Sequence, residues 1–255
     1  MKLLSSVLAF SIVTDLLVNI GIMDEAEPLP DIEFSSYEVT YQAIEQADID
    51  FLPRFNVIDG VTFINDILFV NDLVGVPADF DPGLSPEVEN AYETMRTDAL
   101  EEYVNFVITS DYRSYADQEV IYNDYIGIYG SVEEAERWVN VPGFSEHQTG
   151  LAIDVGSYES WELQELPFGF TEESVWVAEN GHEYGFIIRY PEEFEDVTGM
   201  AYEPWHLRYV GVEAATEIYE SGLTLEHYVN LVDDDGNVVI PDQYNDRLQL
   251  EESGQ

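Results

Sequence analysis

The 255-residue sequence predicts an α+β fold. Three observations lead there. Apolar residues make up 45% of the chain and aromatic residues 13%, enough for a substantial buried core. Helix-like and strand-like segments mix without a regular strand–helix–strand rhythm, which disfavours a doubly wound parallel sheet. No internal repeat is detectable, so one main domain with tails is the default organisation.

Along the chain, Lys2 precedes an apolar stretch from Leu3 to Val13, the length of a signal-peptide core. Asp15 and Asn19 interrupt its continuation to Ile22, which argues against a stable membrane span. Residues 1–23 are therefore expected to be a signal peptide or a membrane anchor, with a buried N-terminal helix as the alternative. The protein is expected to be secreted or extracytoplasmic, or tethered to a membrane by this segment. Residues 24–50 are acidic, weakly patterned and carry Pro28 and Pro30, so they read as a linker or arm.

The pattern tightens over 51–230, the expected main domain. FINDILFVND (63–72) is strand-like or mixed. Ser85 as cap and Pro86 in the first turn open a helix over 86–103. VNFVITS (104–110) reads as a strand and 115–128 as a helix. Ser131 and Glu134 have capping-box spacing and open another helix. LAIDV (151–155) is a short apolar strand. Thr171 caps a helix that stops near Gly185, and FIIRY (186–190) and WHLRYV (205–210) return as strands. A helix over 212–221 closes at Gly222, and a short one starts at Thr224. Residues 231–255, with an Asp-rich turn ending at Gly236, read as a hairpin followed by an acidic tail.

Charge narrows the function classes. Eight Lys plus Arg stand against fifty-three Asp plus Glu, a formal net charge of −45, and Lys2 is the single lysine. Such a surface repels nucleic acid and anionic lipid, because phosphate binding rests on Lys and Arg contacts. Self-repulsion at this charge destabilises the compact state at low salt. Screening shortens to about 3 Å at 1 M salt, so the composition reads as adaptation to high salt. An alkaline habitat, deliberate surface recharging or a plain solubilising surface are the alternatives. The absence of cysteine excludes disulfides, thiolate catalysis and Cys-based zinc sites. It leaves the compartment open.

A zinc site without cysteine must use His and Asp or Glu. Of the four histidines, His147 lies in the Gly-bounded loop GFSEHQTG and His206 opens a strand. Asp154 sits seven residues after His147 between apolar Ile153 and Val155. A carboxylate there needs a partner to offset burial, and a metal, an arginine or solvent at the strand end would each serve. Glu203 stands in E-x-x-H spacing before His206, beside the same place without necessarily ligating.

Four segments carry a family resemblance: SDYRSYADQ (110–118), GFSEHQTGLAID (143–154), YGFIIRYP (184–191) and YEPWHLRYVG (202–211). Together they resemble the VanY-like D-alanyl-D-alanine carboxypeptidases, zinc peptidases related to D,D-dipeptidases and to the hedgehog-type fold. The resemblance covers roughly 60–230 and implies a small, mostly antiparallel sheet flanked by helices. It implies one Zn2+ per chain held by His147, Asp154 and His206, with water in the open fourth position. Glu203 would be the base that takes the proton of the attacking water and returns it to the leaving amine. Arg113 would capture the terminal carboxylate or support the developing oxyanion. Gln118, Ser145 and Tyr190 would line the substrate site, and Trp205 either lines it or packs in the core. His182 and His227 match no ligand position.

The implied substrate is a peptidoglycan stem peptide ending in D-Ala, and a monomer is expected. Close variants are L,D-carboxypeptidase or D,D-dipeptidase activity. A non-catalytic cell-wall-binding module is a different class, argued against by the complete ligand set with Glu203. An acidic cation-binding surface protein would explain the charge and nothing of the motifs. The chain departs from the usual S-G-Y-R pattern at Asp111, whose carboxylate lies two residues from Arg113 and could weaken binding of an anionic peptide. Gly181 stands where a helix former is expected.

Overall fold

The computed structural model describes residues 53–158, 160, 166–233 and 235–253. The expected signal segment or anchor (1–23) and the acidic arm (24–50) lie outside the described residues. Among the described residues, no helix is long and apolar enough to cross a membrane.

A small meander opens the described chain: β1 (Phe55–Ile58), β2 (Val61–Ile64) and β3 (Ile67–Leu68), all antiparallel. Asp59 and Gly60 join β1 to β2 with φ of 52° and 81°. Asn65 and Asp66 join β2 to β3 with φ of 52° and 67°. Positive φ at both central residues matches the twist of a two-residue hairpin, and Asp, Asn and Gly tolerate it best. The stretch 63–72 thus resolves into strand, turn and strand.

The main sheet is antiparallel in the order β4-β5-β7-β6. Helix α1 (Pro86–Glu101) precedes β4 (Phe106–Ser110), with the Ser85 hydroxyl accepting from the Glu87 amide. Helix α2 (Tyr115–Tyr129) follows, opened by a reciprocal Ser114–Asp117 capping box and closed by Gly130. Helix α3 (Val132–Ala135) is a single turn. Ser131 caps it, but the Glu134 carboxylate turns to Arg137 at 3.8 Å instead of completing the expected box.

Strand β5 (Ala152–Ser157) leads to α4 (Glu172–Asn180), capped by Thr171. Gly181 marks the switch from α to 3-10 geometry before β6 (Phe186–Tyr190). A one-turn α5 (Glu195–Thr198) precedes β7 (Glu203–Tyr209), which starts two residues before the expected strand because Glu203 pairs with Tyr190. Helices α6 (Val212–Ser221) and α7 (Leu225–Tyr228) follow, then α8 (Asp246–Ser253).

Alternation along the strands sorts core from site. Ile153, Val155, Phe186 and Leu207 pack against Val88, Tyr92, Met95 and Ala99 of α1 and Trp176 and Val177 of α4. The neighbouring positions Asp154, His206, Arg208 and Arg189 therefore point to the other face. A second cluster joins Ile64 and Phe69 to Ile187, Ile218 and Leu225.

Of residues 231–255, expected as a hairpin and acidic tail, the described ones include an antiparallel bridge, Val232 to Val238, and the helix α8. Leu231 and Ile240 are buried in the second cluster. The Arg247 amide donates to the Leu73 carbonyl at 3.1 Å, and its guanidinium holds Glu136 at 3.0 Å. Apolar side chains among the acids account for this docking.

Candidate active site

The sheet register brings the first two residues together. Asp154 on β5 is the direct partner of His206 on β7, with Oδ1 and Nδ1 3.0 Å apart. His147 arrives on a buried 3-10 turn (Glu146–Thr149) that leads into β5. That turn ends at Gly150 in the left-handed region, φ 70°, where a Cβ would run into the Gly83 carbonyl. His147 Nε2 lies 3.2 Å from Asp154 Oδ1, and one ligand atom from each of the three residues lies within 4.8 Å of the others.

Hydrogen bonds settle which ring nitrogens face the trio. His147 Nδ1 sits 2.6 Å from the Asp111 main-chain carbonyl, so Nδ1 carries the proton. Its Nε2 is buried and makes no hydrogen bond. An orphaned imidazole lone pair beside a carboxylate is what a divalent cation would satisfy. Two imidazole nitrogens and one carboxylate oxygen, leaving a further position open, suit a catalytic zinc. Among the described residues the donor set fits the metal expected from sequence. Asp111, the departure from the usual glycine, does not have positive φ; it contributes its carbonyl.

The electrostatics of the trio are uneven. Asp154 is buried, but contact with both histidines holds its carboxyl well below the usual range. Burial pushes His147 down. His206 resists burial through hydrogen bonds to Asp154 and Glu146 and rises to about 9 in the metal-free protein. Glu203 is buried on β7 with its carboxylate 4.0 Å from His206 Nδ1. Burial pushes Glu203 up to about 8, against the pull of His206 and Arg113 and with help from Asp154. The β6–β7 register shifts between Ile188 and Tyr190, and this irregularity re-aims Glu203 toward the trio.

Arg113 spans two partners. Its Nη2 donates to Asp154 Oδ2 at 3.2 Å and its Nη1 to Gln118 Oε1 at 2.9 Å. Asp154 therefore meets the histidines through one oxygen and an arginine through the other. Gln118 is 1% exposed, and its amide nitrogen donates to the Asn140 carbonyl at 2.7 Å. Expected as a substrate contact, Gln118 has both ends of its amide engaged and braces Arg113. Ser145 and Tyr190 line the same cleft, about 240 Å³ in volume, together with Trp205, Trp138 and Met200. The Tyr190 ring packs on His206 at 4.9 Å, and its buried hydroxyl makes no hydrogen bond. His182 stacks on Tyr219, and His227 completes the capping box of Thr224 at the start of α7; as expected, neither belongs to the trio.

The sequence reading passed over Glu146, Arg189 and Arg208. All three are fully buried and joined by ion pairs, and Glu146 Oε2 lies 3.3 Å from His206 Nε2. The available signal was the scarcity of basic residues, with two of seven arginines inside apolar strands.

A buried carboxyl raised toward neutrality, a His–Asp–His trio and an arginine converge on one cleft, and this fold and cleft define a peptidase. The chain belongs to the VanY family, described as D-alanyl-D-alanine carboxypeptidase, whose model matches residues 81–212. A putative carboxypeptidase, YodJ of Bacillus subtilis, is 39% identical over 69% of this chain and 72% of its own. Among solved structures, the LdcB LD-carboxypeptidase is 32% identical with a TM-score of 0.63, over 73% of this chain and 98% of that one. A mutant of the vancomycin-resistance D,D-pentapeptidase VanY, solved with Zn(II), is 34% identical with a TM-score of 0.56, over 64% of this chain and 98% of that one. The expected α+β architecture, an antiparallel sheet flanked by helices, is the one observed.

Proposed function

We propose that this protein is a zinc-dependent carboxypeptidase that removes the C-terminal D-alanine from peptidoglycan stem peptides. One observation carries the reading: His147, Asp154 and His206 converge within coordinating distance of one another, with Glu203 next to them and not among them. A zinc ion bound there supplies Lewis acidity and a water activated near neutral pH. Glu203 takes the proton of the attacking water and delivers it to the leaving D-alanine nitrogen. Its buried position beside the trio suits that exchange. Arg113 offers a fixed positive charge in a strongly acidic chain, attracting the peptide's terminal carboxylate or the developing oxyanion. Ser145 and Tyr190 shape the cleft around the peptide. Action outside the cytoplasm agrees with the apolar stretch Leu3–Val13.

A second reading, L,D-carboxypeptidase activity on the same scaffold, is favoured by the higher structural similarity to LdcB than to VanY. Incubation with defined muropeptides followed by mass spectrometry separates the two. Loss of one D-alanine from a pentapeptide stem supports D,D-cleavage, and loss from a tetrapeptide stem supports L,D-cleavage. Release of a D-Ala-D-Ala unit points to dipeptidase action, and unchanged muropeptides reject the proposal.

A further inference from the structure

Four formal charges lie fully buried behind the trio. Arg189 Nε donates to Glu146 Oε1 at 2.8 Å, and its terminal nitrogens donate to both oxygens of Glu226, Nη1 at 3.0 Å. Arg208 Nη1 donates to the same Glu146 oxygen at 2.7 Å, while its other nitrogens donate to the carbonyls of Tyr209 and Leu68. One oxygen of Glu146 therefore takes two guanidinium donors. The other faces His206 Nε2 at 3.3 Å.

Stability alone is a weak reason for such a cluster. Replacing buried ion pairs with apolar groups of similar volume is often neutral or stabilising. A geometric reason is available. A carboxylate that accepts from one imidazole nitrogen places the proton on that nitrogen and leaves the lone pair on the other. Without metal, both ring nitrogens of His206 face carboxylates, Nδ1 to Asp154 Oδ1 at 3.0 Å and Nε2 to Glu146 Oε2 at 3.3 Å; a metal ion shared with Asp154 would replace the proton on Nδ1, and Glu146 keeps the one on Nε2. The opposite tautomer would present an N–H to the trio and no ligand.

We propose that Glu146 is a positioning residue for the metal centre: it holds His206 as the Nε2–H tautomer and, through Arg189 and Arg208, fixes the ring's orientation. This rests on the reading that His147, Asp154 and His206 bind zinc, and it adds a role for a residue outside the trio. His147 uses the other arrangement, with Nδ1 held by the Asp111 carbonyl. The two rings therefore turn opposite nitrogens toward one point.

The test uses the full chain loaded with zinc and labelled with nitrogen-15 at histidine. Long-range proton–nitrogen correlation spectra should show His206 protonated at Nε2 and metal-bound through Nδ1, with His147 the reverse. A proton on Nδ1 of His206 overturns the proposal. Glu146→Gln supplies a second readout, since its amide can turn an N–H toward Nε2 and favour the wrong tautomer. Zinc affinity, measured by competition with a chelating dye, should fall about 10- to 100-fold, the usual effect of losing such a partner. Unchanged affinity in folded Glu146→Gln also overturns it. Should that variant fail to fold, the spectra of the unmutated chain decide. His206→Ala separates the two levels: undiminished zinc binding there rejects the metal site itself. Loss of zinc in His206→Ala with none in Glu146→Gln rejects only the role of Glu146.

Discussion

Asp154 and His206 stand directly opposite each other on β5 and β7, and their facing atoms, Oδ1 and Nδ1, are 3.0 Å apart. Strand pairing thus sets two of the three candidate ligands before any metal arrives. Elemental analysis of the purified chain should find about one zinc per molecule, and Asp154→Ala should bring it close to zero. Because a ligand that binds only the folded state stabilises it, at 1,000 times its Kd by about 4 kcal/mol, chelation should lower the melting temperature by several degrees. Equal melting with and without chelator contradicts the site.

Glu203→Ala should retain zinc and lose turnover by about 10²- to 10⁴-fold, the range of a general acid–base contribution. Zinc content and hydrolysis rate are measured on the same preparation. Hydrolysis at the full rate removes Glu203 from the mechanism.

The metal-free protein should show a pH signature from the same residue. Burial raises the folded Glu203 carboxyl to about 8, above the ordinary glutamate value of about 4.3 expected for the unfolded chain. A group raised in the folded state contributes stability that is fully present below the unfolded value and is lost as pH rises toward the folded one. Relative to wild type, apo Glu203→Gln should therefore gain stability between about pH 4.5 and 8, reaching a few kcal/mol. Denaturant unfolding in chelator across that range measures it. A difference between the two proteins that does not change with pH contradicts the prediction.

Gln118 acts through Arg113 by the hydrogen bonds observed. Gln118→Ala should cut kcat/KM, and the loss should largely vanish when Arg113 is already alanine. Residues in one hydrogen-bond network show coupling of about 0.5–3 kcal/mol in a double-mutant cycle. Additive losses would give Gln118 its own contact with substrate.

The charge of −45 predicts that melting temperature rises from low salt to molar salt as self-repulsion is screened. Calorimetry at several sodium chloride concentrations tests this. A flat response removes salt adaptation as the reason for the composition.

Most elements were legible because their signals are local. Ser85 with Pro86, Thr171 and Gly222 mark helix ends within a turn of the backbone groups they satisfy. LAIDV was legible as a short apolar strand, and its pairing with β7 then put Asp154 on the face opposite Ile153 and Val155. The Asp59–Gly60 hairpin was missed although its dipeptide is a turn signal, because β1, the strand that leads into it, lies upstream of the segment read as strand-like. The packing of 231–247 was missed because Leu231 and Ile240 carry too little pattern among so many acids.

By itself, the sequence determined the residue types of the site, their order and spacing, the ends of those helices and strands that carry local signals, and an overwhelmingly acidic charge. Only the tertiary structure decided that Arg113 meets Asp154 from 41 residues away and that Glu146 meets His206 from 60. It also decided which nitrogen of each histidine faces the trio. Caps and alternation act between neighbours in the chain and leave a readable trace. A buried ion pair or a ring tautomer depends on which strands pair and in what register, a property of contacts that no local stretch of residues contains.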